Sequence, residues 1–423
     1  MNLKIQNIGK VSNADIELNG ITVIAGENNT GKSTVGKVLF SIFNSYFNID
    51  NQIDNDREIR IKKLLELIYN DVPTRYYHPP FNMSEISQNL IKNSNKYINN
   101  PIMLRNDILN QISESDPNFE ENLEKLDDER LDEIFDRVKN ILTVSREQIF
   151  KDVLDKNLVA EFDIQISNIY SNSDSKIELT IKDEKVSISI SDNKVVNIEN
   201  EFSLTTEAVY IDDPFVLDET PRYVYFNDAN YHRIHLISKL FFEKSKSSIF
   251  DEIITKDKLE KIFSKINSAC PGDIIRNKGR FSYKNPDTNK SLPSKNISTG
   301  LKTFVILKTL LVNGFIEYNG TIILDEPEIH LHPQWQLLFA EIIVLLQKEF
   351  NMHILLNTHS PYFLEAIEVY SEKYGIADKC KYYLAENQNE TSIISDVTGN
   401  TEKIYQKLAK PLQILENERY SDD

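Results

Sequence analysis

The sequence has little cysteine and no long apolar run. These two shortages argue against a disulfide-stabilised protein and against a membrane-spanning protein. Only Cys270 and Cys380 occur in 423 residues, far apart and outside any metal-ligand pattern. They exclude a disulfide framework and suit a reducing compartment. No stretch reaches the roughly 18 apolar residues of a membrane span, and the N-terminus, MNLKIQNIGK, lacks the apolar core of a signal peptide. We expect a cytoplasmic protein that does not interact with membranes.

Positive charge is also scarce. Lysine and arginine number 48 against 65 acidic residues, so the net charge is −17. Between Ser113 and Arg137 there are eleven acidic and three basic residues, a local −8 that leaves −9 for the rest of the chain. Such a chain is poorly suited to coating nucleic acid or an acidic membrane by itself. A modest basic groove outside that stretch stays open as an alternative.

A sustained heptad repeat is missing too. From about residue 50 to 157 the pattern is helical and polar, and segments such as Ile61–Ile68 and Leu131–Ile149 repeat apolar residues every three or four positions. The repeat never keeps one register long enough for an extended coiled-coil arm.

The first 25 residues predict three short strands, with Asn19-Gly20 as a hairpin turn between the second and third. Between residues 158 and 198, strict alternation in EFDIQIS, KIELTI and KVSISIS predicts antiparallel strands, and EAVYID (207–212) predicts another. A loop is expected at 270–294. From residue 300 onward helices and strands alternate in the α/β manner.

These patterns divide the chain into a sheet-based head interrupted by a long insertion. Residues 1–48 and 296–410 are predicted to form the split head, with a helical insertion at 49–157 and a strand region of the head at 158–215. A helical subdomain is predicted at 216–295 and a tail at 411–423.

The segment Gly26-Glu-Asn-Asn-Thr-Gly31-Lys32-Ser33 fits the phosphate loop G-x-x-x-x-G-K-[ST]. Its glycines let backbone N–H groups wrap phosphates at a helix N-terminus, Lys32 adds a cation, and Ser33 offers a hydroxyl to Mg²⁺. A chance Gly/Asn-rich turn is the alternative, but the predicted strand before and helix after favour the loop. The residues assigned to ATP binding are Gly26, Glu27, Asn28, Asn29, Thr30, Gly31, Lys32, Ser33 and Thr34.

Two later segments supply polar groups at strand ends. The apolar run TIIL ends in Asp325-Glu326, where Asp325 would share the Mg²⁺ with Ser33 and Glu326 would polarise the attacking water as a base. His359 follows the next apolar strand and would contact a γ-phosphate or that water. A lone histidine is more often a surface or capping residue, but its position beside the other motifs favours the catalytic interpretation.

The segment Asn296-Ile-Ser298-Thr299-Gly300 opens a strongly apolar helix. Ser298 or Thr299 is a natural N-cap, which leaves free N–H groups and a positive dipole end. Capping alone would explain both residues.

These four motifs, in this order, resemble the ABC-type ATPase heads of the chromosome-maintenance, RecF-like and overcoming-lysogenisation-defect (OLD) families. The run DEPEIHLHP (325–333) with THSP is particularly similar to the OLD-like ATPases of bacterial anti-phage systems, above all to Septu-type and then PARIS-type ATPase subunits. The resemblance implies an ABC-type α/β head, a mixed sheet with flanking helices, carrying a large helical and antiparallel-strand insertion. It also implies that Ser298, Thr299 and Gly300 contact the ATP of a second subunit.

The resemblance assigns Glu326 as catalytic base, His359 as switch histidine and His330–His332 as part of the subunit-crossing D-loop. A metal site at Glu328-x-His330-x-His332 is a weaker alternative. The signature reads Ile-Ser-Thr-Gly-Leu where transporters have Leu-Ser-Gly-Gly-Gln, and no glutamine lid loop can be placed. Asp212 and Asp213 are more typical of a solvated loop than of a lid or Mg²⁺ site.

A TOPRIM domain and an HNH-like Cys/His cluster are not recognisable in the sequence. We therefore expect an ATPase without nuclease activity of its own, acting as a switch for a separate HNH- or TOPRIM-type nuclease and reaching DNA through that complex. The active unit would be a homodimer or higher homo-oligomer. The rival interpretations are a DNA-repair ATPase of the RecF or chromosome-maintenance kind, a transporter ATPase, and an ATP sensor that does not hydrolyse.

Overall fold

The computed structural model describes residues 1–71, 82–98, 100–115, 128–171, 173–200, 203–219, 230–244, 249–277, 279–286, 288 and 290–420. Its strands are β1 (Asn2–Ile8), β2 (Val11–Glu17), β3 (Ile21–Gly26), β4 (Ser175–Ile181), β5 (Glu184–Ser191), β6 (Lys194–Glu199), β7 (Ala208–Ile211), β8 (Asp273–Asn277), β9 (Arg280–Lys284), β10 (Ser291–Pro293), β11 (Thr321–Asp325), β12 (His353–Thr358), β13 (Cys380–Gln388) and β14 (Thr391–Asp396).

Helices connect and cover these strands. They are α1 (Lys32–Tyr46), α2 (Ile49–Asp71), α3 (Met83–Lys92), α4 (Ser94–Ile98), α5 (Pro101–Ser115), α6 (Asp128–Thr143), α7 (Arg146–Phe162), α8 (Tyr231–Phe241), α9 (Ile249–Ala269), α10 (Thr299–Val312), α11 (Pro333–Phe350), α12 (Pro361–Lys373) and α13 (Glu402–Tyr420). None of the helices in the described ranges is both long and apolar enough to cross a membrane.

One sheet of eleven strands organises the larger part of the chain, in the order β6-β5-β4-β1-β2-β14-β13-β3-β12-β11-β7. The run from β13 to β7 is parallel, whereas β1, β2, β4, β5 and β6 pair antiparallel with one another. Between the two groups, β14 pairs parallel with β2 and antiparallel with β13. All six residues of β3 are buried, as expected for a parallel strand covered on both faces. The predicted α/β class with its mixed sheet and flanking helices is confirmed.

The parallel order brings the carboxyl ends of β3, β12, β11 and β7 to one edge of the sheet. β11 pairs with β12 in the register Asp325↔Asn357, and β12 pairs with β3 in the register Thr358↔Ala25. β7 lies on the other side of β11, with Ile211 opposite Leu324. Because the carboxyl ends of parallel strands meet at one edge, the residues that follow them are neighbours there.

The chain separates into two compact units, residues 1–47 with 154–423 and residues 48–153. The first contains the large sheet. The second is helical, and its helices contribute to one apolar cluster: Ile61, Leu64, Leu65, Ile68, Ile86, Leu90, Tyr97, Leu104, Ile108, Ile112, Leu131, Ile134, Phe135, Val138 and Leu142. Residues 116–127 of the acidic stretch lie outside the described residues.

The predicted hairpin at Asn19-Gly20 is wrong. β2 pairs with β1 and β14, whereas β3 pairs with β13 and β12, so the two strands that this turn joins are not neighbours. The hairpin lies at Gly9-Lys10, where Ile8 pairs with Val11. The dipeptide identifies a turn, and Gly20 does adopt a left-handed φ of 87°, but the turn alone does not decide which strands pair.

Two further expectations of local structure are wrong. In the run EFDIQIS, Glu161 and Phe162 end α7, and Asp163 and Ile164 have positive φ, which no extended strand tolerates. The expected loop at 270–294 instead contains a small antiparallel sheet, β10-β9-β8. The central strand, β9, does not alternate between buried and exposed residues, because Phe281, Ser282 and Tyr283 are all buried. The period-two pattern that predicts a half-buried strand is therefore absent there.

Candidate functional site

The phosphate-loop segment connects β3 to α1 and needs two of its glycines. A Cβ on Gly26 would collide with the carbonyl oxygen of Ala385, and one on Gly31 would lie 2.6 Å from Val11 Cγ2. Gly31 is also the N-cap of α1 and has a left-handed φ of 80°, which favours glycine. Glu27, Asn28 and Asn29 are exposed, so the loop between the glycines faces solvent ahead of a helix N-terminus.

Lys32 projects back into this loop. Its side chain is only 4% exposed, and Nζ donates to the carbonyl oxygens of Gly26 (3.1 Å) and Glu27 (2.9 Å). The same Nζ lies 3.5 Å from Glu326 Oε1. The fold therefore brings together two motifs that lie almost 300 residues apart in the sequence.

Glu326 stands just beyond the tip of β11, in an uncommon backbone conformation. Its φ is 50°, and its N–H donates to the Asn357 carbonyl at 2.9 Å, which holds the residue out of the strand direction. Its Oε1 lies 3.4 Å from His359 Nδ1 as well as near Lys32. Contact with His359 and the charge of Lys32 lower the pKa of Glu326, and contact with Glu326 raises the pKa of His359. The carboxylate is therefore ionised, as a base that polarises water must be.

Asp325 is the last residue of β11 and is held by two neutral donors. The Tyr210 hydroxyl donates to Oδ2 at 2.8 Å, and the Asn357 side-chain amide donates to Oδ1 at 2.9 Å. Burial raises the pKa of Tyr210 well above its usual value, so the phenol keeps its proton. No ion pair to Asp325 occurs among the described residues, so its charge is available to a cation.

This arrangement fits Mg²⁺. Ser33 is exposed in the first turn of α1, and the Asp325 carboxyl group at the strand tip accepts hydrogen bonds from Tyr210 and Asn357. Magnesium usually takes one or two protein oxygens and completes its octahedron with phosphate and water. Within the described ranges, no group of three or more His, Cys, Asp or Glu side chains could hold a metal ion.

The segment after Glu326 is fixed by a buried carboxyl group. Glu328 is 1% exposed, and its Oε1 accepts from the Thr358 hydroxyl and, at 3.3 Å, from the His359 N–H. Burial raises the pKa of Glu328. His330 and His332 are exposed, and His332 caps α11 by accepting from the Gln334 N–H at 3.4 Å. The structure thus does not bring Glu328 and the two histidines together around a shared point.

Ser298 is exposed and caps α10, since its hydroxyl accepts from the Leu301 N–H at 3.4 Å. A Cβ on Gly300 would lie 2.8 Å from the His330 carbonyl oxygen, so the helix start packs closely on the segment after Glu326. No hydrogen bond in the described part of the chain joins Ser298, Thr299 or Gly300 to the phosphate loop. Their contact with ATP stays a prediction.

A family model of the AAA ATPase domain matches residues 1–364. That span contains the phosphate loop, the Asp325-Glu326 pair and His359. The chain belongs to this AAA ATPase family.

Three curated relatives are similar to parts of this ATPase, and two of them are named as nucleases. Endonuclease GajA of Bacillus cereus (strain HuB5-5) is 25% identical over 379 residues, which cover 82% of this chain and 52% of GajA. The OLD nuclease of Thermus scotoductus (strain ATCC 700910 / SA-01) is 25% identical over 134 residues, 31% of this chain and 24% of that protein. Septu protein PtuA of Bacillus thuringiensis is 29% identical over 144 residues, 29% of this chain and 35% of PtuA. The predicted OLD-like and Septu-like resemblance is confirmed, although the chain spans about half the length of GajA and less of the others.

Solved structures similar to this ATPase include chromosome-maintenance heads. The SMC head domain from Thermotoga maritima has a TM-score of 0.37 at 11% identity, covering 94% of this chain and 98% of that one. The SmcHead bound to the C-winged helix domain of ScpA has a TM-score of 0.41 at 10% identity, covering 95% and 98%.

The sequence patterns missed a buried polar cluster beside the ATPase site. The sequence favours a solvated loop for Asp212, which directly follows β7. In the structure its Oδ2 lies 3.0 Å from Nε2 of His232 in α8. His232 Nδ1 lies 2.6 Å from Glu161 Oε2. Although burial alone lowers it, the hydrogen bonds with Asp212 and Glu161 raise the pKa of His232 to about 9. Asp213 caps a short 3-10 helix and pairs with Arg233 at 3.1 Å.

Proposed function

We propose that this AAA ATPase binds and hydrolyses ATP with Mg²⁺ and thereby acts as a nucleotide-controlled switch or scaffold for a separate effector nuclease in anti-phage defence. The observation that carries the proposal is the convergence of Lys32, Glu326 and His359. Lys32 lies 3.5 Å and His359 3.4 Å from one oxygen of Glu326. A cation that stabilises phosphate charge and a carboxylate that can position the attacking water at one sheet edge are groups that support phosphoryl transfer to water.

Each residue has a distinct part in this proposal. Backbone N–H groups of the loop from Gly26 to Lys32 hold the phosphates, with Lys32 adding charge at the β- and γ-positions. Ser33 and Asp325 hold Mg²⁺, which neutralises charge on the phosphates when bound. Glu326 accepts the proton of the attacking water, and His359 orients the Glu326 carboxylate.

The effector is proposed to be a separate HNH- or TOPRIM-type nuclease, with DNA reached through the complex. Two relatives are named as nucleases, which supports a link between this kind of ATPase and nuclease activity. The net charge of −17 opposes tight contact between this chain itself and a phosphate backbone. We therefore place the cleavage chemistry in the partner.

ATP turnover and DNA cleavage by the purified chain test this proposal together. Wild-type protein should hydrolyse ATP only with Mg²⁺, and the Lys32→Ala variant should not. Neither protein should cut plasmid DNA alone, whereas cleavage should appear when the proposed HNH- or TOPRIM-type partner is added to wild type.

Either half of the proposal can fail separately. DNA cleavage that follows the chain through successive columns would place nuclease activity in this protein. Turnover that is equal in wild type and Lys32→Ala would show that the ATPase site lies elsewhere.

A further inference from the structure

The carboxylate of Asp325 is held from both neighbouring strands. Tyr210 on β7 donates its hydroxyl to Oδ2 at 2.8 Å, and Asn357 on β12 donates its amide to Oδ1 at 2.9 Å. Both donors are neutral, so neither cancels the carboxylate charge. A carboxylate offers about four lone-pair sites, and these two bonds leave the others open to a cation. The donors thus fix where Asp325 points without occupying it.

The Tyr210 ring is itself fixed. It is 1% exposed and stacks on the His232 ring with centroids 4.5 Å apart and planes at 26°. The ring of Phe40 packs against both, with each centroid distance 6.0 Å. A Cβ on Gly36 would lie 3.1 Å from the Tyr210 hydroxyl oxygen, so glycine at this position of α1 leaves room for that hydroxyl.

His232 is held on both edges of its imidazole ring. Nδ1 lies 2.6 Å from Glu161 Oε2, Nε2 lies 3.0 Å from Asp212 Oδ2, and the His232 backbone N–H donates to Glu161 Oε1 at 2.7 Å. Rotation of the ring would break contacts with two buried or half-buried carboxylates. Glu161, His232, Tyr210 and Asp325 therefore form a continuous chain of contacts from the end of α7 to the ATPase site.

We infer that Tyr210 is a positioning residue for Asp325 and that it sets the affinity of the site for Mg²⁺, with the Glu161–His232 pair as its support. The inference rests on the proposed function, since it takes Asp325 as a Mg²⁺ ligand. Partners that orient a metal ligand typically change metal affinity or activity by about 10- to 100-fold when they are removed. If the cluster only satisfied buried polar groups, loss of the hydroxyl would change stability and leave the Mg²⁺ requirement untouched.

The Tyr210→Phe substitution separates these two roles, because it keeps the ring and its stacking and removes only the hydroxyl. Binding of a non-hydrolysable ATP analogue is titrated with Mg²⁺ for wild type and variant. The Mg²⁺ concentration for half-saturation should rise about tenfold or more in Tyr210→Phe. Binding at saturating Mg²⁺ should approach the wild-type level, since the phosphate loop is unchanged.

The matched control is Tyr383→Phe. Tyr383 is also 1% exposed, and its hydroxyl oxygen accepts from the Glu17 N–H at 2.8 Å, in the same sheet but away from Asp325. This variant loses a buried hydroxyl of the same kind, so its melting temperature should fall while its Mg²⁺ requirement stays at the wild-type value. If the melting temperature falls in both variants, that fall measures the contribution of a buried tyrosine hydroxyl to stability. Only a change in the Mg²⁺ requirement then measures the positioning of Asp325.

A second variant keeps the test decisive if Tyr210→Phe does not fold. Asn357→Ser removes the donor to the other Asp325 oxygen and should also raise the Mg²⁺ requirement. The inference is overturned if folded Tyr210→Phe binds the analogue with the wild-type Mg²⁺ requirement. If Tyr210→Phe does not fold, an unchanged Mg²⁺ requirement in Asn357→Ser overturns it, because the donors to Asp325 would then not set Mg²⁺ affinity. If wild type itself fails to bind the analogue at any Mg²⁺ concentration, the proposed ATPase site is wrong.

Discussion

The Lys32 ammonium lies 3.5 Å from the Glu326 carboxylate, so the start of α1 and the end of β11 meet through one ion pair. Lys32 is almost fully buried, at 4% exposure, while Glu326 is 24% exposed. The lysine also donates to two carbonyl oxygens of its own loop. Its charge is therefore positioned by the fold itself, and phosphate oxygens would compete with Glu326 for it.

Replacing Lys32 should abolish nucleotide binding. The Lys32→Ala variant loses a cation that the loop backbone cannot replace, because that backbone supplies only N–H dipoles. ATP-Mg²⁺ at about 100 times its dissociation constant should stabilise wild type by about 2.7 kcal/mol and the variant hardly at all. Thermal-shift measurements check this, with Lys37→Ala as control, since Lys37 lies on the same helix but donates to the Glu161 carbonyl. Equal stabilisation of Lys32→Ala and wild type would remove Lys32 from the site.

Replacing Glu326 with glutamine should leave ATP bound and stop its hydrolysis. The amide keeps the shape of the side chain but cannot accept a proton. Single-turnover hydrolysis should fall by about 10²-fold or more, while retention of radiolabelled ATP on the protein should equal or exceed that of wild type. An unchanged single-turnover rate would exclude Glu326 as the base.

The predicted phosphate loop depends on local sequence alone, because eight consecutive residues contain the glycines, the lysine and the hydroxyl, and the structure places them at the junction of β3 and α1 as expected. The end of β11 can also be predicted from local sequence, because the apolar strand and the acidic pair Asp325-Glu326 are adjacent in the chain. The contacts of Tyr210 are not visible, since its partners Asp325 and His232 come from separate segments that meet only when β7 pairs with β11. No local pattern encodes that pairing.

Glu328 should tolerate glutamine and not leucine. Its Oε1 accepts from the Thr358 hydroxyl and the His359 N–H, and burial raises its pKa. Glutamine keeps an acceptor oxygen for both donors, so it should lower the free energy of unfolding less than leucine does. Leucine leaves both donors buried without an acceptor, at a cost of about 1–3 kcal/mol for each. Urea denaturation of the two variants checks this, and equal stability of both would show that Glu328 does not hold the His359 segment.

His232 should make stability depend on pH. Its pKa is about 9 in the folded chain against 6.5 as the ordinary value, so its contribution is complete below pH 6.5 and is lost as pH rises through 9. The loss is on the order of 3 kcal/mol between those limits. Unfolding free energies of wild type and His232→Gln, measured from pH 6.5 to 9.5, should converge as pH rises. A constant difference between them would mean that His232 does not change its charge in this interval.

The local sequence also does not predict that β2 and β3 lie apart in the sheet, because their neighbours come from distant parts of the chain. Asn19-Gly20 has the composition of a hairpin turn, yet β13 and β14 separate β2 from β3 in the sheet. These two strands come from the last fifth of the chain. Their insertion depends on long-range pairing, Ala385 with Gly26 among others, and not on the turn.

The last prediction is that the active unit is at least a dimer in which each ATP contacts two chains. Ser298 caps α10 and is exposed, and Gly300 packs on the His330 carbonyl, so this helix start lies at the surface beside the segment after Glu326. A free helix N-terminus is a good partner for γ-phosphate. If Ser298 reaches the ATP of a neighbouring chain, two-fold symmetry gives two composite sites per dimer.

Mixing two inactive variants tests this arrangement. Lys32→Ala removes the phosphate loop of its own chain, and Ser298→Arg blocks the helix start with a bulky cation. A mixed dimer should contain one intact composite site. In that site Lys32 comes from the Ser298→Arg chain and Ser298 comes from the Lys32→Ala chain, so both residues are wild type. ATP turnover should therefore return on mixing to at most about a quarter of the wild-type rate, since about half of randomly formed dimers are mixed and each has one intact site. If mixed dimers form, as shown by two different affinity tags, and turnover does not return, Ser298 does not act across the subunit boundary in independent sites.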